Sequence, residues 1–369
     1  MFTLTEEHTL LRDAARGFVQ DKMPTTHLRA LRDAGNAEGF DRAMWAEMAA
    51  MGWTGILVPE DFGGAALGYV GLGLVLQEAG RTLAPSPLLS TAMIGASALL
   101  LGGSDAQKAD LLPKIADGSA IVALAIDETA HHAPTRIALR AEPSGSGWTL
   151  TGAKTYVADG HAATHLLVAA RAPDGPALFI VPADAPGVTR KTLRTVDSRG
   201  AADIAFDAVS LGADARLSGG ADYIDAVLDR ARIGLAAEML GQSQQAFEII
   251  ADYLKTRTQF GQLIGAFQAM QHRAGKMLVE LELTQSCVAA ALSALDANRN
   301  DVAELASLAK ARAAETLHLI SNEMVQMHGG IGMTDAHDSG LYMKRARVAE
   351  ALYGSASFHR DRYAALNGF

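Results

Sequence analysis

All eleven prolines lie at or before Pro186, so residues 187–369 run without one. Proline removes a backbone donor and breaks helix interiors, and its absence permits helices of twenty residues or more. Apolar residues recur at helical spacing through this region: Val227, Ala231 and Leu235, then Phe247, Ile250 and Leu254, with further runs over 277–295 and 302–327. Four such helices bury their stripes best against one another, which predicts a C-terminal four-helix bundle over 218–369.

Upstream the punctuation is denser. Residues 1–118 read as an N-terminal helical domain in shorter pieces, Glu6 to Val19, Phe40 to Met51, Val70 to Arg81, Ser90 to Leu101 and Ala106 to Ile115, separated by loops such as "VPEDFGGAALG". Over 119–217 the period changes to two, in "AIVALAID", "WTLTGAKTYV", "HLLVAAR", "ALFIVPA" and "ADIAFDAVSL", with turn clusters between them. That predicts a middle antiparallel β-domain or small barrel, followed by a linker in "GADARLSGGAD". A length of 369 residues exceeds what one core usually organises, in keeping with a multidomain α and β chain.

The net charge of -9 and the lack of any basic block argue against nucleic-acid binding. The opening "MFTLTEEHTLLRDAARGF" carries acids where a signal peptide carries a basic region, and no uninterrupted run of about 18 apolar residues occurs. Cytoplasmic residence without membrane association is the expectation. The single cysteine, Cys287, excludes an intrachain disulfide and reads as a small buried hydrophobe.

"RTQFGQLIGAFQAMQHRAGKM", residues 257–277, places an arginine, an aromatic, two glycines and amide side chains where one helix turns into the next. A capped interhelical loop is one reading of it. The other is a diphosphate site, which needs a cation, an apolar shelf and close backbone approach.

The stretch resembles the signature of the acyl-CoA dehydrogenase family, flavoenzymes with a helical, a β and a helical-bundle domain in this order. "LTEEHTLLRDAARGF", "MGWTGILVPEDFGG", "GWTLTGAKTYVADGHAATHLLVAAR" and "MVQMHGGIGMT" are similar to further family segments, so the resemblance covers nearly the whole chain. It implies FAD as cofactor, with Arg257, Phe260 and Gln268 meeting its diphosphate and adenine side. Gln326, Gly329 and Gly330 would reach a neighbouring subunit's FAD, though "MHGG" alone also reads as a helix C-cap. Asp127 and Tyr156 would lie beside the flavin ring, each where the family pattern carries a threonine. Asp229 and Arg232 would contact the CoA thioester, or form a surface ion pair at i,i+3 spacing. His131, His132, His161 and His165 read as surface histidines, and no metal site is expected.

The family reaction needs a base, usually a glutamate in a turn after the last long helix. Here that position holds Tyr353, followed by Gly354 and Ser355, and Ser355 could still touch the flavin. The other family position for the base falls on Ala231. A tyrosine with its ordinary pKa near 10 is a poor base at neutral pH and bulky enough to intrude on substrate space. Glu238, two helical turns from Ala231, is the remaining candidate, against a reading as a buried carboxylate satisfied by a neighbouring helix; Glu350 is a weaker one.

The resemblance thus implies α,β-dehydrogenation of an acyl-CoA thioester, bulky or steroid-derived, with a relocated base. Its partners would be an electron-transfer flavoprotein or similar acceptor, within a homotetramer or a heterotetramer. Two alternatives stand beside it: a non-catalytic, cofactor-completing subunit of an α2β2 enzyme, and other flavin chemistry on the same scaffold, such as a desulfinase or monooxygenase.

Overall fold

The computed structural model describes residues 4–369. The chain opens with α1 (Glu6–Lys22), capped by the Thr5 side chain, which accepts from the His8 N–H at 3.1 Å. Helices α2 (Thr25–Asp33), α3 (Arg42–Ala50) and α4 (Gly68–Arg81) follow. A π-helical turn, Leu89–Gly95, runs into α5 (Ala96–Gly102), and α6 (Asp105–Ala116) begins with a Ser104/Gln107 capping box. The α2 helix lies outside the predicted set because Leu28 is its one buried residue, too little to make a stripe.

The middle region forms β1 (Val122–Ala125), β2 (Arg140–Ser144), β3 (Gly147–Ala158), β4 (His165–Ala172), β5 (Gly175–Pro182), β6 (Val188–Arg194) and β7 (Gly200–Leu211). They make one sheet in the order β1-β4-β2-β3-β7-β6, with β5 also paired to β4. The sheet is antiparallel except at β4, which pairs parallel with β1 and, through Arg140 and Arg171, with β2. Leu139, Leu150, Leu166, Val168, Phe179, Ile204 and Phe206 bury one continuous face. Strands β2 and β6 escape period-two reading because both are largely exposed and polar.

The C-terminal helices are α7 (Ala221–Thr256), α8 (Gln268–Asp296), α9 (Val302–His328), α10 (Ser339–Ala351) and α11 (Ala356–Leu366). The α9 helix packs against α8, α10 and α11. Among the described residues α8 is the one helix long and apolar enough to cross a membrane by length and composition, a property that buried bundle helices share.

Two compact units emerge from the contacts. The first joins residues up to Leu28, Gly73–Ala84 and Arg232–Phe369; the second joins Arg29–Leu72 and Pro85–Ala231. Glycine makes a close helix approach inside the first unit. A Cβ on Gly241 would collide with the Gln77 carbonyl oxygen, and one on Gly80 would collide with that of Glu238. These neighbours are main-chain atoms and cannot rotate away. Gly241→Ala is therefore expected to destabilise by about 3 kcal/mol, the upper part of the overpacking range, read from the urea midpoint.

Candidate functional site

The first unit carries a tight hairpin where α7 ends. Thr258–Gln259 pairs with Gln262–Leu263, and the two residues between them, Phe260 (φ 54°) and Gly261 (φ 82°), both take positive φ. This is the backbone twist of a type I′ turn, which glycine accepts freely and phenylalanine does not. The turn presents Phe260 at 90% exposure, with Arg257 and Gln268 exposed beside the hairpin. At the end of α9, Gln326, Gly329 and Gly330 are also exposed, and a Cβ on either glycine would meet nothing within 4 Å. The two helix ends adjoin through Tyr253 and His328, whose rings lie 4.3 Å apart. Gly329 also caps α9, its N–H donating to the Gln326 carbonyl, so the helix-cap reading and open backbone coexist. An exposed cation, an aromatic on a strained turn, amides and backbone open to the outside fit a group carrying a diphosphate and a flat ring system.

The turn after α10 lies in the same unit. Tyr353 takes φ 56° and is 3% exposed, and Gly354 takes φ 111°. A Cβ on Gly354 would come within 2.5 Å of Phe358 and 2.8 Å of His359 Nε2, so the position admits only glycine. Ser355 does not project as a free hydroxyl: it is the N-cap of α11, accepting from the Phe358 N–H at 3.3 Å, and it bonds Ser357 Oγ at 2.9 Å.

Glu238 takes the arrangement of a structural ion pair rather than of a base. Its Oε1 accepts from Arg345 Nη2 at 2.9 Å and Nε at 3.1 Å, and from Gln242 Nε2 at 2.9 Å, with both members of the ion pair buried. A guanidinium stabilises the ionised carboxylate and weakens it as a proton acceptor. Glu350 is likewise engaged, with Arg347 and with His318 at 3.1 Å. Ala231 is fully buried. Asp229 and Arg232 are buried too, so neither belongs to a surface ion pair, and Arg232 lies 5.7 Å over the Phe358 ring.

Sequence reasoning passed over two groups behind this turn, Lys310 and His359, because single charges in small-residue surroundings leave no pattern. His359 Nε2 donates to the Tyr353 carbonyl at 3.1 Å. Burial first, then the Lys310 and Arg232 cations, push its pKa down to about 2 against the pull of that carbonyl bond, with Arg362 adding to the depression. A depressed pKa means stability that is whole above the ordinary value of 6.5 and is lost as pH falls from there toward about 2. Wild-type chain should therefore lose more stability than His359→Gln between about pH 7 and pH 4, measured by urea midpoints.

In the second unit, the β3–β7 register shifts between Lys154 and Val157, and this bulge carries Tyr156 at φ 47° and 37% exposure, its N–H donating to Asp203 at 3.1 Å. Bulges re-aim side chains and gather at functional sites. Asp127 is committed to its own loop: its carboxylate takes His132 Nδ1 at 2.9 Å and the Ala133 N–H at 3.2 Å. Two histidines depart from the surface reading. His132 is buried by this bond, and His161 Nε2 donates to the Glu38 carbonyl at 2.6 Å. Next to Asp127 lies a pair unseen in the sequence, Lys154 Nζ to Glu128 at 2.8 Å, with Lys154 also donating to the Ile126 carbonyl at 3.0 Å. Burial raises the Glu128 pKa, but bonds from Lys154, Leu139 and Ala138 outweigh it and the net shift is downward.

Comparison with known proteins follows this architecture along the chain. Residues 5–119, 127–209 and 218–366 match the family models described as the N-terminal, middle and C-terminal domains of acyl-CoA dehydrogenase. Acyl-CoA dehydrogenase fadE12 of Mycobacterium bovis is 32% identical, over 94% of this chain and 92% of that protein. The solved structure of a variant of the Tcur3481-Tcur3483 steroid ACAD superposes with a TM-score of 0.91 at 36% identity, over 99% of this chain and 98% of that one. The ChsE4-ChsE5 complex from Mycobacterium tuberculosis superposes with a TM-score of 0.91 at 26% identity, over 100% and 99%. The chain belongs to the acyl-CoA dehydrogenase family, FAD-dependent oxidoreductases.

Proposed function

We propose that the chain is the non-catalytic, cofactor-completing subunit of a heteromeric acyl-CoA dehydrogenase that oxidises a bulky, steroid-type acyl thioester. The observation that carries this reading is that neither position implied for the base by the family resemblance holds a carboxylate. Tyr353 and Ala231 occupy them, and Glu238 is bound by Arg345 and Gln242. The names of the two solved relatives, each pairing two components and one naming a steroid enzyme, support the heteromer and the substrate class. A relocated base at Glu238 is the weaker reading because its ion pair opposes proton uptake.

Bound FAD supplies the hydride acceptor for the substrate β-carbon. Arg257 would hold its diphosphate and Phe260 its adenine side, with Gln268 orienting the same end. Gln326, with the open backbone of Gly329 and Gly330, would complete the neighbouring subunit's cofactor site. Asp229 and Arg232 would support the thioester end of the CoA, and Tyr353 would bound the acyl pocket. Asp127 would orient the flavin edge through the loop it holds with His132, and Tyr156 would pack there. An electron-transfer flavoprotein or similar carrier would take the electrons, in a cytoplasmic enzyme.

The flavin spectrum tests the reading directly. Expressed alone, the chain should not be bleached by any acyl-CoA. Co-expressed with its paralogous partner, it should co-purify as a yellow complex that steroid-derived acyl-CoA bleaches. Bleaching by the chain alone would overturn it.

A further inference from the structure

We infer that Lys310 and His359 are positioning residues for the turn at 353–354: from within the bundle Lys310 holds the carbonyls of Glu350 and Gly354, and His359 holds that of Tyr353. Lys310 Nζ donates to the Gly354 oxygen at 2.9 Å and to the Glu350 oxygen at 3.3 Å. It reaches them from the middle of α9 as a fully buried side chain. The inference rests on the reading that this turn borders the acyl pocket.

Three features make the clamp necessary. A buried tyrosine at positive φ is an unfavourable local state that persists only where its surroundings over-determine it. The carbonyls at the end of α10 have lost their helical partners and, in a buried position, require donors from elsewhere. Lysine supplies up to three donors on a stem long enough to cross the space between α9 and the turn. A hydrophobic residue would fill that space and leave the carbonyls unsatisfied. Burying an amine is costly, and burial does push Lys310 down to about 7, with Glu350 acting upward and Arg232 and Arg345 downward. The surrounding charges are Arg232 and Glu238 on α7, Arg345 and Glu350 on α10, and His359 and Arg362 on α11. In this setting the amine still donates to both carbonyls whether it is neutral or protonated.

Hydrogen exchange on the full chain, read peptide by peptide, tests the clamp. In Lys310→Met, exchange over 351–360 should rise by at least on the order of tenfold, the effect of losing two buried hydrogen bonds, while 302–328 keeps its protection. Lys310→Gln, which retains a donor, should recover part of that protection. Unchanged exchange over 351–360 in a folded Met variant would overturn the inference, as would a rise spread equally over all helices. If the Met variant does not fold, His359→Leu applies the same test at the Tyr353 carbonyl alone. In the partnered complex, the Met variant should also weaken acyl-CoA binding to this chain's own pocket, read by equilibrium dialysis. Faster exchange with no change in acyl-CoA binding would leave the clamp standing and overturn instead the placement of this turn beside the substrate.

Discussion

Glu238→Leu should lower the stability of the chain by about 3–5 kcal/mol, because it removes the buried carboxylate to which Arg345 Nη2 and Nε donate at 2.9 and 3.1 Å. The measurement is a denaturant midpoint, with Glu238→Gln beside it. Glutamine keeps an oxygen for Arg345 and should cost much less. Turnover separates this structural role from catalysis. Loss of a general base costs roughly a hundred- to ten-thousand-fold in rate, whereas Glu238→Gln in the partnered complex should change turnover per bound FAD by less than about tenfold. A collapse in turnover with the fold intact would restore Glu238 as the base and sink the non-catalytic reading.

Arg257→Ala should weaken FAD retention by roughly ten- to a hundredfold, the range expected for losing a charge-assisted contact to a diphosphate. Arg257 is exposed, so the fold should be untouched and the urea midpoint unchanged. Equilibrium dialysis against FAD, with chain and partner together, gives the number. Equal retention by wild type and variant would remove Arg257 from the cofactor site. Phe260→Gly is the companion: glycine takes positive φ without strain while removing the shelf, so a gain in stability with a loss of flavin would mark a residue kept for binding.

Much of the architecture was legible in the chain. Proline-free helical spacing after 186 announced α7, α8 and α9, and period-two runs announced β1, β3, β4, β5 and β7; the short α11 was not announced, because His359 is its one buried residue. Strands β2 and β6 were not legible because their side chains face outward, and the parallel pairing of β1 with β4 was not because register is decided by partners distant in sequence. Within the site, the type I′ hairpin at Phe260 and Gly261 was invisible as a hairpin, since its strands are two residues each and carry no period.

The sequence by itself determined the order of helical, β and bundle segments, since hydrophobic period and proline placement act locally. It also determined that no carboxylate stands at 353 or 231, where the family resemblance implies the base. Only the tertiary structure decided what the remaining charges do. Glu238 meets Arg345 across 107 positions and Lys310 meets Gly354 across 44, and such pairings arise from helix packing rather than from spacing along the chain. A buried charge must find its partner wherever the fold brings one, so a carboxylate that could have been a base became half of an ion pair.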